Sequence, residues 1–315
     1  STTCRTSIRA SSSRSDPKQP RRKRRSGAAF LFVLLKLAPF LFVFLWSTGF
    51  IGAKFGLPYA DALSFLLVRY FLVIGLMTVL ALATRAPWPS DPRRWFHIGV
   101  SGVLVHAFYL GGVFVAIGHG LPAGVTALVV GMQPLLTAFG AGAFLGEKVT
   151  PRQWAGLALG FVGVFLVVSG KIGADAPLVA MLIPAVVALL AITAGTLYQK
   201  KFCPSFDLRT GSVIQFLPTA AITAMAIALF GEFRIEWAPP FVFALGWLVL
   251  VLSLGAISLL NLLIRSGSAV NVASLFYLTP PTTAVIAWGL FGETLAGVAL
   301  AGMALAVAGV WLARK

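Results

Sequence analysis

Two titratable side chains interrupt otherwise apolar stretches of this sequence, and each suggests a chemistry. Arg69 lies in the run 62–84 and His106 in the run 95–118. An arginine presents a planar fork of N–H donors that matches a carboxylate, and a histidine changes charge near neutral pH. Other polar or amphipathic groups are scattered through the apolar runs: Trp46, Ser47, Tyr109, Gln133, Thr193, Tyr198, Gln215, Asn261, Asn271, Tyr277 and Thr279. All nine acids (Asp16, Asp61, Asp91, Glu147, Asp175, Asp207, Glu232, Glu236, Glu293) fall outside those runs. Paired carboxylates, a metal-ligand spacing, a Ser/His/Asp set and a phosphate-cradling loop are therefore missing from the pattern. No enzyme, no cofactor and no metal is expected. What remains is recognition of a ligand by Trp46, Ser47, Arg69, His106, Tyr109, Gln133, Tyr198, Gln215, Asn261, Asn271 and Tyr277, with interhelical hydrogen bonding as the competing role for each.

Several of these residues carry two open readings. Arg69 either binds a substrate carboxylate or extends its stem to the membrane surface. His106 is either a proton-coupling group or a packed, hydrogen-bonded residue. Glu147 and Glu293, each after a glycine, are read as stabilising the positive end of a helix rather than as a proton or cation site. Pro134 and Pro280 are expected to break backbone hydrogen bonds and kink the fourth and ninth helices.

The elements that must position these groups follow from composition. Hydrophobic residues make up 58% of the chain and charged residues 11%, with a mean hydropathy of +0.92. A soluble domain carries about 25% charged residues, so the surplus apolar surface here must face lipid. A spanning helix needs about 20 apolar residues. Such runs recur at 37–56, 62–84, 95–118, 122–145, 152–169, 178–199, 210–230, 240–264, 268–291 and 295–312. The fold class expected is an all-α integral membrane bundle of ten transmembrane helices. With the N-terminus inside, eleven Lys/Arg fall at inner positions (such as Arg93, Arg94, Lys200, Lys201 and Arg265) against Lys54, Lys171 and Arg234 outside. That is the bias of the positive-inside rule, and it places both termini in the cytoplasm. Residues 1–27 hold nine Lys/Arg with only Asp16 against them. They are expected to form a disordered basic cytoplasmic tail that attracts anionic lipid, not nucleic acid. Cys4 and Cys203 support neither a metal site nor a disulfide framework.

A gap-free shift of 146 residues aligns 49–164 with 195–310. It matches Gly49 with Gly195, Lys54 with Lys200, Asp61 with Asp207, Pro134 with Pro280, and Gly146-Glu147 with Gly292-Glu293. Two of the three acids in the first window land on the same acid in the second. Five helices per copy is an odd number, so the second copy must enter the membrane inverted. Inverted repeats characterise carriers whose binding sites lie near the midplane, between the repeats.

The stretch Trp46-Ser47-Thr48-Gly49-Phe50, Arg69, and Pro134…Gly146-Glu147 leading to Trp154-Ala155-Gly156 resembles the EamA repeat of the drug/metabolite transporter superfamily. Pro280…Gly292-Glu293 with Ala301-Gly302 and Gly309 looks like the same unit again. The resemblance covers nearly all of 37–312, giving copies at 37–169 and 178–312. It implies a ten-helix fold with a central cavity lined by helices one, three, four, six, eight and nine. It also implies a secondary transporter, exporter or importer, for a small metabolite such as an amino acid or related compound. The copies differ at Trp46/Ile192 and Arg69/Gln215, which makes recognition asymmetric. A membrane-embedded lipid-handling protein or enzyme is the alternative, and an accessory subunit a third reading. The expected partners are a small-molecule substrate and the lipid bilayer of the inner (plasma) membrane. The oligomeric state is open, a homodimer among the forms that fit.

Overall fold

The computed structural model describes residues 21–121, 126, 129–169, 178–291 and 297–313. The chain divides into two compact units, Ser1–Leu37 and Ala38–Lys315. Among the described residues, beside a 3₁₀ turn at Leu57–Tyr59 and an isolated bridge between Ala60 and Ile235, it is built of ten main helical segments. They are α1 (Arg21–Gly56), α2 (Ala62–Ala83), α3 (Pro92–Gly118), α4 (Gln133–Leu145), α5 (Pro151–Ser169), α6 (Leu178–Phe202), α7 (Leu208–Phe230), α8 (Pro239–Ser266), α9 (Ala269–Leu290) and α10 (Gly297–Ala313). Helix α1 takes in 21–27 of the segment expected to be unstructured; Arg and Lys favour a helix, and these residues lead directly into an apolar one. Residues 1–20 lie outside the described residues, as do Glu293 and Gly292.

Seven of these helices, α1, α2, α3, α6, α7, α8 and α9, contain spans long and apolar enough to cross a membrane. Their polarity is inside out. Phe71, Val79, Leu82, Phe243 and Leu250 are exposed on the bundle surface, whereas Ser47, Arg69, His106, Gln133, Gln199, Gln215 and Asn261 are buried. This is how a chain distributes its side chains when its solvent is hydrocarbon and unpaired polar groups must turn inward. The molecule is a multi-pass membrane protein.

Breaks fall where the sequence carries proline. Pro134 sits in the first turn of α4 after a turn at Gly131–Met132, and Pro280 follows a 3₁₀ turn, Leu275–Leu278, within α9. A second irregularity carries no proline. Helix α3 is π-helical over Val103–Leu110 and α8 over Leu248–Ala256. A shift of 146 residues superposes the two stretches almost completely, so the irregularity is duplicated with the fold. π-Turns within helices often mark functional sites.

Duplicated helices also pack on one another. Arg209 and Thr210 at the start of α7 donate to Thr84 Oγ1 (2.7 Å) and the Pro87 carbonyl (3.0 Å), just past the end of α2. At the opposite end Ser64 of α2 reaches the Glu232 carbonyl beyond α7. Helices α2 and α7 are therefore antiparallel. So are α5 and α10: Gly156 meets Gly309 and Ala313, while Gly163 meets Gly302 and Ala306. The α5–α10 approach is backbone to backbone, since a Cβ built at Gly309 would lie 2.4 Å from the amide nitrogen of Gly160. Small residues permit such contact between membrane helices. Gly309→Leu is expected to lower thermal stability in detergent by the equivalent of about 1–3 kcal/mol or more. Gly75→Ala, with nothing within 4 Å of the new methyl, should leave the melting temperature unchanged.

The start of α7 holds an ion pair, Arg209 Nη2 to Asp207 Oδ2 at 2.6 Å. The Arg209 guanidinium holds the Asp207 carboxyl below its usual range. A depressed carboxylate stabilises the fold above its unfolded pKa and ceases to do so as pH falls through the folded value. Asp207→Asn should flatten the loss of stability on acidification below about pH 4, read as melting temperature against pH.

Candidate functional site

Arg69 lies on α2 with only 1% of its surface exposed. Its charge is enclosed among the helices and does not reach the surface of the bundle. Its Nε donates to Ser253 Oγ at 3.2 Å. Ser253 Oγ in turn donates to the Leu248 carbonyl, five residues back, at 3.0 Å, so the π-turn of α8 orients this oxygen. Nη1 and Nη2 have no hydrogen-bond partner. A buried guanidinium with free donors is costly, and an anion with two acceptor oxygens is what its fork geometry fits.

Arg69 lines a cavity of about 30 Å³. Trp46, Gly49, Phe50 and Ala53 come from α1; Tyr109, Leu110, Val113 and Phe114 from α3; Leu248, Leu252 and Ile257 from α8. Apart from Arg69 the wall is apolar and aromatic. Gly49 and Gly52 let α1 approach Leu252 and Leu248 of α8. A smaller cavity of about 10 Å³ lies among Gln133 of α4, Thr196 and Lys200 of α6, Ile264 of α8, and Ala269, Val272, Ala273 and Phe276 of α9. Trp46 belongs to the first cavity and Phe276 to the second. Their rings meet edge to face at 5.4 Å, and Trp46 also stacks on Tyr109 at 6.2 Å. An aromatic partition therefore separates two compartments, each with room for water but not for a metabolite. Together the two cavities are lined by helices one, two, three, four, six, eight and nine. Helix α2 enters the larger compartment, and α4, α6 and α9 line the smaller.

Of the residues singled out from sequence, Trp46, Arg69 and Tyr109 share the larger cavity and Gln133 lines the smaller. His106 is buried, stacked on Phe216 at 4.3 Å, with neither ring nitrogen hydrogen-bonded. Ser47 donates to the Val43 carbonyl at 2.7 Å and reaches the Thr279 carbonyl at 3.3 Å, tying α1 to α9. Tyr277 is buried with its hydroxyl unpartnered, its ring against Gly160. Asn271 is half-buried near the start of α9, its Oδ1 unpartnered and its amide bonded to Ser268 Oγ. Tyr198 is placed elsewhere. It bonds His97 Nδ1 at 2.6 Å and packs on Phe202 at the end of α6, away from both cavities.

Gln215 and Asn261 join a buried polar chain. Gln215 Nε2 donates to Ser101 Oγ at 3.1 Å and approaches Gln199 Oε1 at 3.4 Å, and Gln199 Nε2 donates to Asn261 Oδ1 at 2.8 Å. Gln199, which links α7 to α8 through α6, escapes a reading by sequence because it directly precedes Lys200-Lys201 and passes for the edge of a loop. The apolar lining residues escape it because nothing in their type separates a cavity wall from a helix contact. Gln199→Ala strands Asn261 Oδ1 and leaves Gln215 Nε2 with Ser101 alone. It is expected to lower stability by about 1–3 kcal/mol, measured by thermal unfolding in detergent.

One end of the smaller cavity is closed by Lys200. Its ammonium donates to the Gly267 carbonyl, lies 3.4 Å from that of Ile264, and stands 3.9 Å from Glu147 Oε1. The same Glu147 oxygen accepts from the Ala269 amide at 3.2 Å. Glu147 thus stabilises a helix N-terminus as expected, but that of α9 rather than the helix following it in sequence. Helix α5 begins only at Pro151, capped by a reciprocal Thr150–Gln153 pair. Gly146, at φ +67°, ends α4. Lys200→Ala should open this end. In a Cys4→Ser/Cys203→Ser background, Thr196→Cys is expected to react several-fold faster with a water-soluble thiol reagent once Lys200 is removed.

Comparison with known proteins places this geometry. A model of the EamA-like transporter family matches residues 32–169 and again 179–314. The chain is 27% identical over 263 residues to the uncharacterized inner membrane transporter YedA of Escherichia coli strain K12, covering 83% of this chain and 84% of that one. It is 25% identical over 284 residues to a probable amino-acid metabolite efflux pump of Salmonella typhimurium, covering 86% and 92%. A solved crystal structure shares the fold with a TM-score of 0.72 at 20% identity, over 89% of this chain and 96% of that chain. Two family matches in one chain mean a duplicated unit, and the chain belongs to the EamA-like transporter family.

Proposed function

We propose that this protein is a secondary transporter for a small metabolite bearing a carboxylate, an amino acid or related compound, and that it works by alternating access. The observation that carries the reading is Arg69: a buried guanidinium with Nη1 and Nη2 unpartnered, lining a cavity between helices of both copies. A carboxylate would take the two free donors, while Trp46 and Tyr109 would pack the rest of the substrate. The amino-acid metabolite named for the Salmonella relative is in keeping with this chemistry. Ser47, His106, Gln133, Gln215, Asn261, Asn271 and Tyr277 would be met as the cavities merge.

The ten segments are read as ten transmembrane helices in two inverted copies. The antiparallel pairs α2–α7 and α5–α10 support this, because each pair consists of helices at equivalent places in the repeat. The surplus of Lys/Arg at one end of the bundle supports an inner-membrane orientation with both termini cytoplasmic. In this reading the Trp46–Phe276 partition and the Lys200–Glu147 closure are the parts that move, exposing the site to one side at a time.

The test is transport in proteoliposomes loaded with labelled amino acids and their analogues. Arg69→Gln is expected to cut the rate for carboxylate substrates at least about 10-fold, the loss that follows removal of a charged hydrogen bond. Arg69→Lys keeps the charge but not the fork and should fall between. Undiminished transport by a folded Arg69→Gln protein would overturn the assignment.

A further inference from the structure

A further void belongs to neither compartment. A crevice of about 580 Å³ opens between α2, the start of α7 and α8. Met77 and Leu80 of α2 and Leu254 of α8 form its apolar part, and Asp207, Arg209, Ser258 and Arg265 its polar part. Helices α2 and α8 are joined nearer the other end by the Arg69–Ser253 bond and leave this space beyond it. Leu80 and its neighbours Val79 and Leu82 are exposed on the outside of the bundle, so the apolar part is continuous with the lipid-facing surface. Arg265 is the last but one residue of its span, at the level where headgroups begin.

The charges around the crevice do not balance. Arg209 is neutralised by Asp207, which it grips through Nε at 3.0 Å and Nη2 at 2.6 Å. Among the described residues Arg265 makes no ion pair of its own: Asp207, the carboxylate that shares the crevice and acts on it electrostatically, is gripped by Arg209. Its guanidinium lies 4.2 Å over the ring of Phe206, and Nε and Nη2 are buried without a hydrogen bond. A cation is thus held at the head of an apolar slot that faces hydrocarbon. The occupant that satisfies both parts has a hydrocarbon tail and an anionic headgroup.

We propose that an anionic phospholipid of the surrounding leaflet occupies this crevice, its phosphate at Arg265 and an acyl chain against Met77, Leu80 and Leu254. A soluble anion would leave the apolar part empty, and a zwitterionic lipid would bring its own cation against Arg265. The site is distinct from the Arg69 cavity and does not depend on what that cavity carries.

The full chain, purified in detergent, would be exposed to equal amounts of phosphatidylglycerol and phosphatidylcholine, and retained lipid counted by native mass spectrometry. The wild type is expected to retain phosphatidylglycerol in preference. Arg265→Gln should reduce that preference about fivefold, the factor one basic residue contributes at an anionic surface. Leu80→Trp, which fills the slot, should reduce retention of lipid without touching a charge. Arg152→Gln removes a charge outside the crevice and should change nothing. Equal retention of the two lipids by the wild type would overturn the proposal, as would an Arg265→Gln protein with its preference intact. If Arg265→Gln fails to fold, Leu80→Trp decides: undiminished retention refutes the crevice as the site. Retention of glycerol phosphate by the wild type to the same degree as phosphatidylglycerol would mean a soluble-anion site and also refute it.

Discussion

A guanidinium enclosed in an apolar bundle with no carboxylate to meet it is the constraint around which the rest of this molecule is arranged. None of the chain's nine acids lies in an apolar run, so the charge of Arg69 cannot be answered by the helices packed around it. The fold instead gives it one neutral acceptor, Ser253, and leaves two donors free. Such a group is destabilising in the empty protein and a ready partner for an anion. Its neighbours are correspondingly uncharged: aromatic rings, aliphatic side chains, and amides that bond to one another at a distance.

The duplication explains how one guanidinium can serve a nearly symmetric scaffold. Equivalent π-turns occur in α3 and α8, and equivalent partners face them from α7 and α2. Gln215 of α7 reaches Ser101 on α3, while Arg69 of α2 reaches Ser253 on α8. The same architectural position therefore holds a neutral amide in one half and a cation in the other. The amide closes into a chain with Gln199 and Asn261 and becomes part of the packing; the cation stays open.

Much of this could be read from the sequence, and the failures have physical causes. Runs of apolar residues locate the helices because hydrocarbon admits little else, and the 146-residue shift exposes the duplication because acids are rare enough to mark register. Arg69, Trp46 and Tyr109 stand out by type and do share a cavity. Tyr198 stands out equally but faces His97 at the end of α6, since type carries no information about which side of a helix meets a neighbour. The π-turns leave no compositional trace: a change from four-residue to five-residue hydrogen bonding costs no proline or glycine. The division into two compartments is a matter of how Trp46 and Phe276 meet, and the two residues are far apart in sequence.

The glycine contact between α5 and α10 joins equivalent faces of the two copies. The face that one copy offers is the face it accepts, which is the self-complementary interface of a two-fold dimer. Joining the two copies in one chain fixes which face meets which. It also frees the two faces from identity, so that a residue such as Arg69 can change in one half without appearing twice.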